Sequence, residues 1–210
     1  MTRAEKVRSA AILATHFERL REVDLSPRHR ETLAVYGEIS DREFGTKVVL
    51  PRCYRTKPGF TFKGHALECS PWFHAGDARD FLRSLNFRDE PTQDALVFVI
   101  PHPLESSFDM TPREQLNLLS GLRVECDLPP HHLRGFGSAG LVAGLCLVHE
   151  QGVPQKPDWV RTDTSDVGGN RVVLGDFGGL NTSGLNCEVG RFDDGRHQQV
   201  GAFAIGVEPL

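Results

Sequence analysis

Between Arg3 and Val23 the apolar residues Val7, Ala10, Ala11, Ala14, Phe17 and Leu20 recur three or four positions apart, with Arg8, Glu18, Arg19 and Glu22 among the polar ones. That period gathers the apolar side chains on one face of an amphipathic helix. Ser26-Pro27 then offers an N-cap followed by proline at the first helical position. A second, shorter helix is expected there, with Leu33 and Tyr36 on its apolar face and Gly37 at its end. After Asp41 the period changes, and Val48-Val49-Leu50 and Phe60-Thr61-Phe62 predict two short strands separated by Pro51, Pro58 and Gly59. Ser70-Pro71 repeats the cap signal, and Phe73, Ala78, Phe81, Leu82 and Leu85 predict a helix through about Ser84.

The run from Ala95 to Ile100 is apolar at every position and bounded by Asp94 and Pro101, which predicts a strand buried on both faces. Thr111-Pro112-Arg113-Glu114 combines a capping threonine, a first-turn proline and a glutamate placed to close a capping box. The helix it starts is expected to run past Leu116 and Leu119 to Gly121. Residues 137 to 149 are apolar on every side and rich in small residues, favouring a buried helix over a strand. The last third carries β-branched runs at Arg171 to Leu174, Leu185 to Arg191 and Val200 to Val207, with Asp194-Gly195 as a hairpin signal between the last two. The expected fold class is α+β: N-terminal helices, a mixed central segment with a buried strand, a capped helix near 112–120 and C-terminal antiparallel hairpins. One domain spanning 1–210 is expected, with 1–40 as a helical subregion.

Composition supports an ordinary globular chain: 39% of the 210 residues are hydrophobic, enough for a core, which excludes a disordered or fibrous class. No apolar run reaches the roughly 18 residues of a membrane span, and the charged start has no signal-peptide core. A soluble, cytoplasmic protein is the expectation. The five cysteines are odd in number and contain no C-x-x-C pair, so they read as free thiols of a reducing compartment. Charge is uneven. Residues 1 to 63 hold 13 Lys and Arg against 8 Asp and Glu, a net +5, whereas residues 64 to 210 hold 11 against 20, a net −9, giving −4 for the chain. Such an imbalance marks either an anionic partner for the N-terminal third or two parts of one chain that attract each other.

Several residue groups have chemical potential. His65, Cys69 and His74, with Glu68 between them, are candidate ligands for a zinc-type metal, although their spacing matches no short zinc motif and a further ligand would have to come from afar. His102 lies between two prolines at the exit of the central strand, and His131 and His132 follow Pro129-Pro130. These three are candidate general acids or bases. No G-x-S-x-G, H-E-x-x-H or S-x-x-K motif supplies a nucleophile. Arg52, Arg55, Lys57 and Lys63 alternate with Tyr54, Phe60 and Phe62 in an acid-free stretch, the ingredients of an anion or single-strand nucleic-acid surface. The net charge of −4 argues against a dedicated nucleic-acid binder. Gly175-Asp-Phe-Gly-Gly179 lacks the Lys-Ser/Thr ending of a phosphate loop, and the Asp and Asn residues of 163–181 lack EF-hand spacing.

The function expected from these features is a binding or accessory protein that holds a small ligand or a protein partner near the C-terminal end of the 95–100 strand. The alternative is a metal-dependent, hydrolase-type enzyme built on His65, Cys69 and His74, with His102 or His131 completing the site. The second alternative is nucleic-acid binding through residues 47–63. A homodimer formed by edge strands of the C-terminal hairpins is compatible with all three.

Overall fold

A strand with apolar side chains at every position is stable only if both of its faces are covered, and the segment from Ala95 to Ile100 is buried throughout. We describe the protein from a computed structural model over residues 11, 14–65, 89–134, 159–165, 171–175, 186–189 and 195–210. The elements in chain order are β1 (Phe17–Leu20), α1 (Pro27–Phe44), β2 (Arg52–Thr56), β3 (Ala95–Pro103), α2 (Pro112–Glu125), β4 (Trp159–Ser165), β5 (Arg171–Gly175), β6 (Asn186–Val189), β7 (Val200–Gly201) and β8 (Phe203–Pro209). Short 3-10 turns occupy Glu22–Asp24 and Glu105–Ser107. The fold is α+β.

One sheet has the order β1-β2-β3-β8, antiparallel throughout. The other has the order β6-β5-β4-β7; β4, β5 and β6 form C-terminal antiparallel hairpins and β7 runs parallel to β4. In the first sheet Leu20, Cys53, Phe98 and Gly206 lie in one row across the strands, and Glu18, Arg55, Leu96 and Glu208 lie in another on the same face. That face packs with Tyr36 and Ile39 of α1 and Leu119 and Leu122 of α2 in one apolar cluster. On the opposite face Phe17, Tyr54, Val97 and Val99 are also buried, with Phe60 edge-on to Phe17 at 5.4 Å.

Both helix starts form as their sequences predict. The Ser26 hydroxyl accepts a bond from the His29 amide at 3.2 Å, and Thr111 and Glu114 close a reciprocal capping box. Both helices run beyond their expected ends. Gly37 costs about 1 kcal/mol of helix propensity, but burial of Ile39 and Phe44 further along outweighs it, and Gly45 at φ 58° closes α1 instead. Likewise α2 passes Gly121 because Leu122 belongs to the buried face.

Three local expectations are corrected. Phe17–Leu20 is a strand rather than the end of a helix. A three-residue spacing puts Phe17 and Leu20 on one side of a helix but on opposite faces of a strand, and here each face has its own apolar layer to receive one of them. The strand of the 48–62 region is Arg52–Thr56, not the flanking apolar runs, and Val48 and Leu50 are exposed. Asp194 lies outside the described residues, and among the described residues the runs on either side of it are not paired with each other: β6 pairs with β5, β7 with β4 and β8 with β3. The helices expected at 70–84 and 137–149 lie outside the described residues, as do residues 1–10. No helix among the described residues is long and apolar enough to cross a membrane.

Loss of the α2 capping box through Thr111→Ala is expected to lower stability by about 1 kcal/mol, whereas Phe98→Ala, a fully buried ring between α1 and the sheet, should cost about 3–5 kcal/mol. Urea unfolding monitored by circular dichroism checks both; equal midpoints for the two variants would contradict this account of the core.

Candidate functional site

Pro129-Pro130-His131-His132 is a tight turn: the His132 amide donates to the Pro129 carbonyl at 3.0 Å, and Pro130 supplies the fixed φ suited to the second turn position. The chain then runs beside β8. The Val207 amide donates to the His131 carbonyl at 3.1 Å and the Arg134 amide to the Ile205 carbonyl at 3.0 Å, so the turn is stitched to β8 on either side of Gly206. Leu133 takes a left-handed φ of 46° in this connection, a strained conformation for a residue with a branched side chain. The result is that His132 is driven into the interior with no exposed surface.

Gly206 makes the room. A Cβ at this position would sit 2.1 Å from His132 Nδ1 and 2.4 Å from the Tyr36 hydroxyl. Tyr36 reaches the same point from α1, fully buried, with its oxygen 3.1 Å from His132 Nδ1. On the other side of the ring, His132 Nε2 lies 2.9 Å from Glu208 Oε1. Glu208 projects from β8 two residues beyond Gly206, on the same face, and is 5% exposed. Its second oxygen faces the first turn of α1, 3.4 Å from His29 Nε2 and 3.7 Å from an Arg28 nitrogen.

The donor and acceptor pattern follows from chemistry. An ionised carboxylate only accepts, so in this arrangement His132 carries its proton on Nε2 and donates it to Glu208. Its Nδ1 is then an acceptor for the Tyr36 O–H. Burial, partly opposed by the bond to Glu208, holds the His132 imidazole below the usual histidine range and therefore neutral near pH 7. Burial also raises the Tyr36 phenol, reinforced by the Glu208 charge and opposed by a bond from the Leu133 backbone. The Cys53 thiol, pushed up to about 12 by burial and then by Glu208, stays protonated.

His131 completes the group. Its ring centroid is 4.7 Å from that of His132, and its Nε2 is buried with no hydrogen-bond partner among the described residues. Donor atoms of His131, His132 and Glu208 all lie within 4.8 Å of one another, the one group of three potential metal-ligating side chains found among the described residues. Two imidazoles and a carboxylate can share a divalent ion, hold a proton in a short relay, or both.

The other described sequence candidates are not members of this group. His102 sits edge-on to Phe44 at 5.7 Å and is not one of the three grouped ligands. His65 stacks on Phe60 at 4.6 Å, its Nδ1 is 2.9 Å from the Thr61 carbonyl, and its ring is edge-on to His16 at 5.2 Å; Cys69 and His74 lie outside the described residues. Among the basic candidates, Arg55 forms a two-pronged bond to Asp94, Lys63 pairs with Asp89 at 2.9 Å, and Lys57 lies 3.6 Å from Glu18. Arg52 and Arg55, three positions apart in β2, belong to opposite faces of the sheet, so they do not form one patch. Glu208, Tyr36 and His29 were not signalled as a site by the sequence. The one hint was an acid two positions after a glycine at the end of a β-prone run.

No protein-family model, curated protein or solved structure is detectably similar to this chain.

Two outcomes are expected of the cluster before any ligand is considered. Gly206→Ala should destabilise by about 1–3 kcal/mol, because the ring or the phenol must move to admit a methyl group; an unchanged urea midpoint would mean that the core has slack at this point. Below about pH 6.5 the unfolded chain protonates His132 while the folded chain resists. Stability linked to this group is therefore complete above that pH and lost as pH falls toward the lower folded value. Urea midpoints at pH 8, 7, 6 and 5 should decline on the acid side, and His132→Gln should flatten that part of the slope.

Proposed function

We propose that this protein binds a divalent metal ion of the zinc type at His131, His132 and Glu208. The observation that carries the reading is that one ligand atom each from His131, His132 and Glu208 lie within 4.8 Å of one another, while His131 also has a buried Nε2 with no hydrogen-bond partner among the described residues. A buried polar atom left without a partner costs roughly 1–3 kcal/mol, and a cation between the three donors removes that penalty while replacing the proton that His132 shares with Glu208. Imidazole nitrogen and carboxylate oxygen are the ligand types that zinc and neighbouring first-row ions accept. The support beyond the ligands is of the expected kind: the carboxylate has His29 and Arg28 beside its second oxygen, and the far nitrogen of His132 has the Tyr36 hydroxyl.

On this reading the ion is the ligand, and the site lies beside Leu96 and Phe98 rather than near the C-terminal end of the 95–100 strand. Three protein donors leave one position of a tetrahedral ion for water or a small molecule, the arrangement of centres that exchange a ligand. The metal-dependent alternative thus shifts from His65, Cys69 and His74 to a different set of residues.

The untagged chain, purified without chelator and titrated with zinc, should take up one ion per chain in native mass spectrometry and unfold at a higher temperature with zinc than with EDTA. His131→Ala separates binding from folding. It removes an unsatisfied atom, so the metal-free variant should be no less stable than the parent, yet zinc should no longer raise its unfolding temperature. A parent chain that stays at its polypeptide mass and is indifferent to zinc would falsify the proposal.

A further inference from the structure

We propose that Tyr36 is the positioning residue of this centre, its hydroxyl holding the His132 ring so that Nε2 faces the ion; the inference rests on the metal reading above and names a residue that acts through a ligand rather than as one. Three observations fix the hydroxyl in place. It is fully buried on α1, it lies 3.1 Å from His132 Nδ1, and it occupies the space left by the missing side chain of Gly206. No rotation of the ring is compatible with that contact and with the 2.9 Å contact to Glu208 except the one that presents Nε2 to the carboxylate.

A hydroxyl suits this position because it both donates and accepts. Without an ion, His132 carries its proton on Nε2, and Tyr36 donates to Nδ1. With an ion, the Nε2 lone pair is committed to the metal. One proton leaves Nε2 and one arrives at Nδ1, both exchanged with solvent, so the ring stays neutral. Tyr36 then turns its O–H away and accepts from Nδ1–H. A backbone carbonyl would serve only the second state and an amide only the first. The metal-polarised ring is the stronger donor, so loss of the hydroxyl weakens the loaded state more than the free one.

The test compares the parent chain, Tyr36→Phe and Ile39→Val, a second buried α1 residue whose methyl loss perturbs packing alone. Zinc affinity by isothermal titration should fall about 10- to 100-fold in Tyr36→Phe and stay at the parent value in Ile39→Val, and cobalt(II) absorption bands should move only in Tyr36→Phe. Nitrogen-15 histidine spectra of the parent provide a readout that needs no variant: His132 should be the Nε2–H tautomer with EDTA and the Nδ1–H tautomer with zinc. Equal zinc affinity of Tyr36→Phe and parent, or a tautomer that zinc does not change, overturns the role of Tyr36 while the metal site stands. A parent chain that takes no zinc overturns both.

Discussion

The pairing of β3 with β8 brings together residues more than a hundred positions apart, and most of what is distinctive in this molecule depends on it. The register sets Phe98 opposite Gly206 and Leu96 opposite Glu208. A fully buried aromatic therefore neighbours a position with no side chain, and a carboxylate enters the apolar layer beneath α1. Taking a carboxylate out of water is expensive unless it is paired. Once the register is chosen, partners must be brought to Glu208, and they come from two other places: the turn after α2, which delivers His132, and the first turn of α1, which delivers His29 and Arg28. The same register also leaves the gap at Gly206 into which Tyr36 and His132 fit.

A group of this kind is a costly way to fill a core. Apolar residues of similar volume often replace buried ionic networks with no loss of stability, and a network whose members are incompletely satisfied is worse than none. Tyr36, His132 and Glu208 satisfy one another in sequence, whereas His131 adds a buried nitrogen without a partner among the described residues. A strained Leu133 at the same place adds to the cost. Strain and unmet polar groups gather where a fold has been shaped for something other than stability, and that concentration is the physical reason for regarding this corner as a site.

The uneven charge has a different outcome. The N-terminal third is basic and the remainder acidic, and contacts between them include Arg42 with Glu125 at 3.0 Å, Lys47 with Glu105 at 2.6 Å, Arg55 with Asp94 at 2.8 Å and Lys63 with Asp89 at 2.9 Å. Exposed pairs contribute little individually. Their collective effect is on the field: cations that would form a basic surface are matched by carboxylates of the same chain, and the electrostatic case for an anionic partner at residues 47–63 is weakened accordingly.

Features governed by near neighbours were legible from the residues alone. Thr111-Pro-Arg-Glu114 and Ser26-Pro27 start helices because a cap is a contact within three residues, and Ala95 to Ile100 forms a doubly buried strand because nothing in the run can face water. The two histidines after Pro129-Pro130 were named on sequence only as candidate acids or bases, because imidazole titrates near neutral pH, and not as metal ligands. Features governed by distant partners were not. Whether Phe17 and Leu20 sit on a helix or a strand depends on β2; where α1 ends depends on the layer that covers Ile39 and Phe44; and the described strands before and after Asp194-Gly195 pair with β5, β4 and β3, not with each other. His65 and His102 are the same residue type as His132, and sequence ranks them alike. Only the tertiary structure separated them, because a side chain's burial, its hydrogen-bond partner and the charge beside it are set by residues that the chain brings back from far away.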